Sequence, residues 1–171
     1  MKPFVLWMTG LPCSGKTTIV KDLQKDIPNL AMLDGDELRE WFSPKDFSKV
    51  GRDEHNKKVA YLAKLLLNHG VSSVVSLVSP YIENRKSARE IINAGDQFAE
   101  CFVKCSVEKC EERDVKGMYA KARKGEIKGF TGIDDPYEDP ENADLVIDTE
   151  HEPLLDSTNK VKDFLKGRHL L

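Results

Sequence analysis

The segment Gly10–Thr17 contains the residues with the most recognisable chemistry. It reads G-L-P-C-S-G-K-T, which fits G-x-x-x-x-G-K-[ST], and it lies between an apolar strand pattern and a helical pattern. The two glycines let the backbone curl so that successive N–H groups point at phosphate oxygens. Lys16 would place a positive charge on the β- and γ-phosphates of ATP, and Thr17 would supply a hydroxyl ligand to Mg²⁺. The segment, named here the phosphate loop, therefore predicts an ATP and Mg²⁺ site.

A phosphate loop alone does not separate a kinase from a GTP-dependent switch. A switch GTPase should also carry an N-K-x-D type guanine-binding motif. The Asn56-Lys57 pair is followed by Lys58-Val59 and lies inside a helical pattern. The sequence therefore favours a kinase.

Two carboxylates follow the second predicted strand, in the segment Leu33-Asp34-Gly35-Asp36. In an open α/β sheet, the carboxyl ends of the strands line the ligand crevice. Asp34 and Asp36 could therefore hold the water shell of Mg²⁺ and accept a proton from an attacking hydroxyl. The alternative is a turn in which Asp36 is only a helix N-cap, and both roles are compatible if Asp34 faces the site.

Arginines near these carboxylates are candidates for binding anions. Arg39 and Arg52 could grip phosphate- or sulfate-like oxygens bidentately, although a lone arginine is usually a solvated surface residue. Arg113 precedes an amphipathic segment and could close on the phosphates or stack on adenine; the alternative is an exposed helix face. Ser79 directly follows the third predicted strand, which is another crevice position. The predicted catalytic residues are Lys16, Asp34 and Asp36, and the predicted ATP-binding residues are Gly10, Leu11, Pro12, Cys13, Ser14, Gly15, Lys16, Thr17, Thr18 and Arg113.

Strand and helix patterns alternate along the chain, which indicates βαβ units with a parallel sheet. Strands are predicted at Phe4–Met8, Leu30–Leu33, Val71–Val78, Phe98–Cys105 and Leu145–Ile147, and helices are predicted to begin near Lys16, Asp36, Asp53, Glu83, Val107 and Glu152. We predict one α/β domain over residues 1–171. Its P-loop NTPase-type fold has three layers, with a central, mostly parallel five-stranded sheet flanked by helices.

One stretch has no regular pattern. Gly125–Pro140 contains three glycines and two prolines, which disfavour a helix or strand. A long loop in a compact domain is usually a lid, a binding loop or a disordered segment. We predict a lid over roughly residues 114–140, because Phe130 and Ile133 are costly to leave permanently in water. The alternative is a floppy surface loop.

Composition excludes several classes of protein. The 171 residues are 40% hydrophobic and 32% charged, which is typical of a globular domain. A net charge of −3 gives no basic field for nucleic acid, and no apolar run reaches the roughly 20 residues that span a bilayer. The four cysteines form neither a C-x-x-C pair nor a zinc site with histidines. We therefore expect reduced thiols and a cytoplasmic protein that binds neither nucleic acid nor membrane.

The sequence resembles the adenylylsulfate (APS) kinases almost from end to end. Beyond the phosphate loop, the shared motifs are L-D-G-D-x-x-R at Leu33–Arg39, Phe47-Ser48 followed by Arg52, S-P-Y at Ser79–Tyr81, C-E-x-R-D-x-K-G-x-Y at Cys110–Tyr119, and K-A-R-x-G-E-I-K-G-F-T-G-I-D-D-P-Y-E at Lys121–Glu138. The last string is long and highly specific to this family.

The resemblance implies an activity and a set of substrate-binding residues. The activity is ATP-dependent phosphorylation of the ribose 3′-hydroxyl of adenosine 5′-phosphosulfate, which gives PAPS and ADP, by a homodimer. Phe47 and Phe130 are similar to the pair that sandwiches the acceptor base. The resemblance also implies a catalytic role for Ser79, which falls where family members have a serine described as a phosphoserine intermediate. Direct in-line transfer needs no such intermediate, so Ser79 could simply bond the substrate. The implied substrate-binding residues are Arg39, Phe47, Arg52, His55, Val78, Ser79, Lys128, Phe130 and Thr131.

Departures from the family pattern gather on the acceptor side. Where the family typically reads R-x-x-N-I-R-R, this chain reads Arg52-Asp53-Glu54-His55-Asn56-Lys57-Lys58. Cys13 stands where the phosphate loop normally has Gly or Ala, and Ile82 follows S-P-Y in place of Arg. These differences leave open a second hypothesis, in which the same chemistry acts on another nucleotide, such as cytidine diphosphoramidate in capsule biosynthesis. A third hypothesis, an inactive nucleotide-binding regulatory module, is disfavoured because Lys16, Thr17, Asp34 and Asp36 are intact.

Overall fold

The computed structural model of the protein describes residues 2–42 and 46–171, and its described strands form one five-stranded sheet. The strands are β1 (Val5–Thr9), β2 (Ala31–Asp34), β3 (Ser73–Ser76), β4 (Phe98–Lys104) and β5 (Leu145–Asp148). Their order is β2-β3-β1-β4-β5, and every neighbouring pair is parallel. This confirms the α/β prediction, and the sheet is fully parallel rather than mostly so.

Seven α-helices connect and flank the described strands. They are α1 (Lys16–Asp26), α2 (Gly35–Phe42), α3 (Lys49–Asn68), α4 (Ile82–Ile92), α5 (Val107–Arg113), α6 (Met118–Arg123) and α7 (Leu154–Gly167). Helix α3 begins four residues before the predicted Asp53, because the Ser48 side chain accepts a hydrogen bond from the backbone N–H of Gly51 at 3.1 Å and caps the helix there. Within the described ranges, none of these helices combines the length and apolar character needed to span a membrane.

Alternation along β1 divides the core between the two faces of the sheet. Leu6 and Met8 pack with apolar residues of α1 and α7 on one face. Val5 and Trp7 pack with apolar residues of α3 and α4 on the other. All residues of β1 are buried, as expected for a strand at the centre of a sheet covered by helices on both faces. The four cysteines are free thiols, as the sequence predicted.

Strand β3 is shorter than its apolar pattern suggested. The predicted strand covered Val71–Val78, whereas the observed strand ends at Ser76. The chain then leaves the sheet through Leu77 and Val78 and turns at Ser79, whose φ of 44° lies in the left-handed region. The apolar, β-branched composition of Val71–Val78 correctly indicated a buried segment. The prediction was too long because the buried segment continues past the last residue of β3 into this turn.

Gly125–Pro140 contains no helix or strand, as predicted, yet it is packed. The Asp134 carboxylate accepts hydrogen bonds from the backbone N–H groups of Gly129 and Phe130 at 2.9 and 2.7 Å. Phe130 is only 9% exposed, and its ring centroid lies 4.9 Å from that of Tyr119 in an edge-to-face contact. These contacts disfavour the floppy loop, while movement as a lid stays a prediction.

The packing of α7 predicts a clear contrast between two leucines on this helix. Leu165 is 1% exposed and belongs to the core on one face of the sheet, whereas Leu155 is 63% exposed. Leu165→Ala should lower the free energy of unfolding by about 2–5 kcal/mol because it leaves a cavity. Leu155→Ala should stay within about 0.5 kcal/mol of the wild type. Urea unfolding measures both, and equal losses would contradict the packing of α7 described here.

Candidate active site

The phosphate loop curls where β1 ends and α1 begins. Gly10 has φ 154°, and a Cβ at this position would lie 2.4 Å from the backbone oxygen of Val103. Gly15 has φ 102° and is the N-cap of α1. Only glycine fits both the close approach at residue 10 and the left-handed backbone at residue 15. The helix N-terminus therefore adds its positive end to the loop N–H groups.

Lys16 lies inside the curl of the phosphate loop. Its Nζ donates hydrogen bonds to the backbone oxygens of Gly10 and Leu11, both at 2.8 Å, and to Ser14 Oγ at 3.3 Å. Burial lowers the pKa of Lys16 to about 8, and nearby anionic groups, including Asp36, oppose this shift. Neutral oxygens thus hold the ammonium group at the loop. A phosphate group would take their place as a negatively charged partner.

Thr17 links the phosphate loop to the end of β2. Its Oγ1 donates to Asp34 Oδ2 at 3.0 Å and lies 3.1 Å from Ser76 Oγ. The other carboxylate oxygen of Asp34 accepts from the backbone N–H groups of Asp36 and Glu37 at 3.0 and 3.4 Å. The alternative in which Asp36 caps the helix is therefore wrong: Asp34 performs this role, because its carboxylate accepts hydrogen bonds from the first turn of α2.

The contact between Thr17 and Asp34 also tests the predicted magnesium site. A hydroxyl and a carboxylate oxygen 3.0 Å apart provide two hard oxygen donors beside the phosphate loop. Mg²⁺ in phosphate sites usually binds one or two such groups together with phosphate oxygens and water. The donor set therefore fits Mg²⁺.

Asp36 occupies the first turn of α2 and has a different environment from Asp34. Its side chain is 76% exposed, and one carboxylate oxygen pairs with Lys116 Nζ at 2.5 Å. Lys116 comes from the short connection between α5 and α6, within the predicted lid. The pair is solvent-exposed and weak, so the Asp36 carboxylate remains available to another donor.

Three predicted acceptor-side residues meet at the start of α3. The Arg39 guanidinium lies 4.7 Å from the ring centroid of Phe47, which is 48% exposed. Arg52 is buried; its Nε donates to the backbone oxygen of Phe47 at 2.8 Å, and its Nη2 donates to the backbone oxygen of Gly129 at 2.6 Å. Arg52 therefore joins the loop that carries Phe47 to the segment that carries Phe130.

The remaining predicted lid residues have contrasting environments. Phe130 packs against Tyr119 in the cluster beneath the phosphate loop, so the base sandwich with Phe47 stays a prediction. Lys128 is exposed. Thr131 is 2% exposed, and its Oγ1 is among the buried polar atoms that have no hydrogen-bond partner within the described ranges.

His55 is buried beneath the start of α2. It is 2% exposed, and its Nε2 lies 3.1 Å from the backbone oxygen of Gly35. A carbonyl oxygen only accepts, so Nε2 carries the hydrogen. Burial, with the nearby charge of Arg39, lowers the pKa of His55 to about 4. The surroundings therefore disfavour the imidazolium near neutral pH.

Val78 and Ser79 form the turn that follows β3. The Val78 backbone oxygen accepts from Thr9 Oγ1 at 2.7 Å and from the backbone N–H of Gly10 at 3.4 Å. Ser79 is 3% exposed, and its Oγ accepts from Trp7 Nε1 at 3.1 Å. This burial disfavours a phosphoserine intermediate, since the transferring group would have to reach a shielded oxygen. A catalytic role for Ser79 stays a prediction.

Thr149 and Tyr119, which the sequence did not suggest, support the phosphate loop together with the predicted residue Arg113. Thr149 Oγ1 donates to the backbone oxygen of Ser14 at 2.6 Å, and Tyr119 Oη donates to that of Pro12 at 2.9 Å. Arg113 donates to the backbone oxygens of Thr149 and Cys13 at 2.6 and 3.3 Å, so in this conformation it braces the loop. Thr149 could have been suspected, because it directly follows a strand at the carboxyl edge of the sheet.

Comparison with known proteins establishes the family. The family model described as adenylylsulphate kinase matches residues 2–148. The chain belongs to the adenylylsulphate kinase family. It is 41% identical to the adenylyl-sulfate kinase of Halothermothrix orenii over 98% of this chain and 91% of that protein. It is 46% identical to the probable adenylyl-sulfate kinase of Synechocystis sp. over 91% of this chain and 89% of that protein.

A solved structure agrees with this assignment. The APS kinase of Mycobacterium tuberculosis, in complex with AMPPNP and APS, superposes with a TM-score of 0.90 and 37% identity over 96% of this chain and 98% of that one. The protein is therefore a kinase, a phosphotransferase with an alcohol group as acceptor, with the P-loop fold predicted from the sequence.

The low pKa of His55 predicts a stability that decreases in mild acid. The pKa is about 4 in the native state and 6.5 for an unperturbed histidine. Between these values, the unfolded chain binds a proton that the native state does not bind, so the free energy of unfolding falls as pH falls. The loss is at most about 3 kcal/mol.

Urea unfolding at pH 7 and pH 4.5 checks this prediction. His55→Asn should remove most of this part of the pH dependence, whereas His69→Asn, at an exposed position, should retain it. The same pH dependence in the wild type and His55→Asn would show that His55 is not the group responsible.

Proposed function

We propose that the protein phosphorylates the ribose 3′-hydroxyl of adenosine 5′-phosphosulfate with ATP, giving PAPS and ADP. The observation that carries the proposal is the 3.0 Å contact between Thr17 and Asp34, which joins the phosphate loop to the carboxylates on the acceptor side. The relatives named adenylyl-sulfate kinase and the M. tuberculosis complex with APS support this choice of acceptor.

On the ATP side, the phosphate loop binds the β- and γ-phosphates through its N–H groups and Lys16. Thr17 and Asp34 would hold Mg²⁺, which neutralises charge on the phosphates as the terminal bond breaks. Lys16 moves from its loop oxygens to the phosphate, a stronger partner for an ammonium group. The phosphate loop needs no large rearrangement, because its glycine conformations are already present.

On the acceptor side, Asp36 is the better candidate for the base. Asp34 is occupied by Thr17 and by the N-terminus of α2, whereas Asp36 is exposed at the mouth of the site. As the bond between O3′ and the γ-phosphorus forms, the bond from that phosphorus to the β,γ-bridging oxygen breaks and ADP leaves. The proton of the hydroxyl passes to the Asp36 carboxylate.

Anion and base recognition fall to the residues around α3. Arg39 and Arg52 would bind the phosphosulfate, and Phe47 would stack on the base. Such stacking is worth about 1–3 kcal/mol but does not distinguish one base from another. Selection of one nucleotide base over another therefore depends on polar groups. Here His55 differs from the family pattern, and its neutral ring, with Nε2 bound to Gly35, adds no positive charge near neutral pH.

An acceptor panel tests the proposed function. We expect adenosine 5′-phosphosulfate to give a higher kcat/KM for ADP release than cytidine diphosphate derivatives, with PAPS identified as the product. A site that pairs its buried polar groups with one nucleotide can reject another by up to about 10⁴-fold. A cytidine acceptor that reacts faster by orders of magnitude would replace this proposal with the second hypothesis, and no turnover with any acceptor would favour the regulatory module.

Lys16→Ala should abolish most of the turnover. The substitution removes a charge directed at the transferring phosphoryl group, so kcat should fall by at least about 10²-fold. Lys21→Ala is the matched control, since Lys21 is exposed on the same helix and should leave kcat unchanged. Steady-state ADP release measures both variants. Near-normal turnover of Lys16→Ala would refute the phosphate site.

A further inference from the structure

The turn at Val78–Ser79 adopts a conformation that its sequence does not favour. Ser79 has φ 44°, a left-handed backbone conformation that residues other than glycine adopt at a cost in free energy. That cost corresponds to about 5- to 30-fold in the equilibrium constant between the left-handed conformation and the ordinary conformations of this residue. Tertiary contacts must therefore hold the turn in place.

The hydroxyl of Ser79 is held by a buried tryptophan from the central strand. Trp7 is 0% exposed and its Nε1 donates to Ser79 Oγ at 3.1 Å. An indole N–H is only a donor, and a buried donor needs an acceptor. Each group thus satisfies the other, because the left-handed backbone at residue 79 brings its Oγ to the indole.

The backbone oxygens of the same turn are also held. Thr9 Oγ1 donates to the Val78 oxygen at 2.7 Å, and Arg85 Nη1 donates to the Ser79 oxygen at 2.7 Å. The backbone N–H of Gly10, the first residue of the phosphate loop, approaches the Val78 oxygen at 3.4 Å. The turn is therefore fixed directly to the strand that carries the phosphate loop.

We propose that Trp7 is a positioning residue for the acceptor site. Its indole N–H locks Ser79 in the left-handed turn, so that the Val78–Ser79 surface is formed before the acceptor binds. The Ser79 hydroxyl serves as the acceptor of this hydrogen bond and does not carry a phosphoryl group. The kinetic consequence rests on the proposed function, because it assumes that this turn contacts the acceptor.

Substitutions at residue 79 separate the hydrogen bond from the backbone conformation. Ser79→Ala removes the hydroxyl and keeps the cost of a positive φ. Ser79→Gly removes the hydroxyl and also removes that cost. Trp7→Phe and Ser79→Ala should each raise the KM for adenosine 5′-phosphosulfate by about 5- to 30-fold, with the KM for ATP unchanged. Ser79→Gly should raise this KM less than Ser79→Ala does, because glycine adopts a positive φ at little cost, and adding Trp7→Phe to Ser79→Gly should cause no further rise.

Trp41→Phe is the matched control, because Trp41 is 64% exposed on α2 and should leave both KM values unchanged. If Trp7→Phe raises the two KM values equally, or if its effect persists on the Ser79→Gly background, the indole acts through packing and the proposal fails. A phosphoserine at residue 79 that forms with ATP and passes its phosphate to the acceptor would also overturn it.

A measurement without any acceptor keeps this inference separate from the proposed function. The free energies of unfolding of wild type, Trp7→Phe, Ser79→Gly and the double variant form a double-mutant cycle. We expect the two substitutions to be coupled, so that Trp7→Phe is less destabilising on the Ser79→Gly background. Additive effects would overturn the proposal. Coupling together with no turnover on adenosine 5′-phosphosulfate would leave the positioning contact intact and refute the proposed acceptor.

Discussion

The central strand β1 is buried along its whole length and pairs with β3 on one edge and β4 on the other. This constraint places the phosphate loop at the middle of the carboxyl edge of the sheet. The loops that follow β2 and β3 must then pass beside it, since all strands are parallel. The short distances from Thr17 to Asp34 and from Gly10 to Val78 follow from this arrangement. The site thus depends on a core strand that contacts no substrate.

The polar groups of the site are mostly paired with one another or with the backbone. Lys16 is held by loop oxygens, Asp34 by Thr17 and the α2 N-terminus, and Ser79 by Trp7. Preorganised groups of this kind lose little when the transition state forms, because they do not have to reorganise. Asp36 contrasts with them, since its carboxylate is exposed and shared with Lys116 of the predicted lid. The exposed carboxylate of Asp36 thus differs from the paired groups of the phosphate loop and of the Val78–Ser79 turn.

Arg52 connects the acceptor side to the predicted lid. Its guanidinium group donates to the backbone oxygens of Phe47 and Gly129, and it lies 3.7 Å from the carboxylate of Asp135. Tyr81 Oη donates to the same carboxylate at 3.1 Å, which brings the start of α4 into the network. A displacement of the lid segment would therefore disturb both the loop that carries Phe47 and the end of the S-P-Y motif.

Features with local causes can be predicted from the amino-acid sequence. The spacing of glycines, lysine and threonine identified the phosphate loop, because the curled backbone requires these residue types in this order. Apolar runs between helical patterns gave the five strands, and the position of Asp34 and Asp36 after the second strand placed them in the crevice. The long string at Lys121–Glu138 indicated the family, which the comparisons confirmed.

The hydrogen-bond partner of each polar group depends instead on tertiary packing. The contact of Trp7 with Ser79 spans 72 residues, and that of Thr149 with Ser14 spans 135, so no local pattern encodes them. Asp34 rather than Asp36 caps α2 because the end of β2 places the Asp34 carboxylate beside the first N–H groups of the helix. The neutral state of His55 depends on burial beneath that helix. Local patterns favour the helices and strands, whereas desolvation, hydrogen-bond partners and the left-handed turn at Ser79 depend on distant segments brought together by packing.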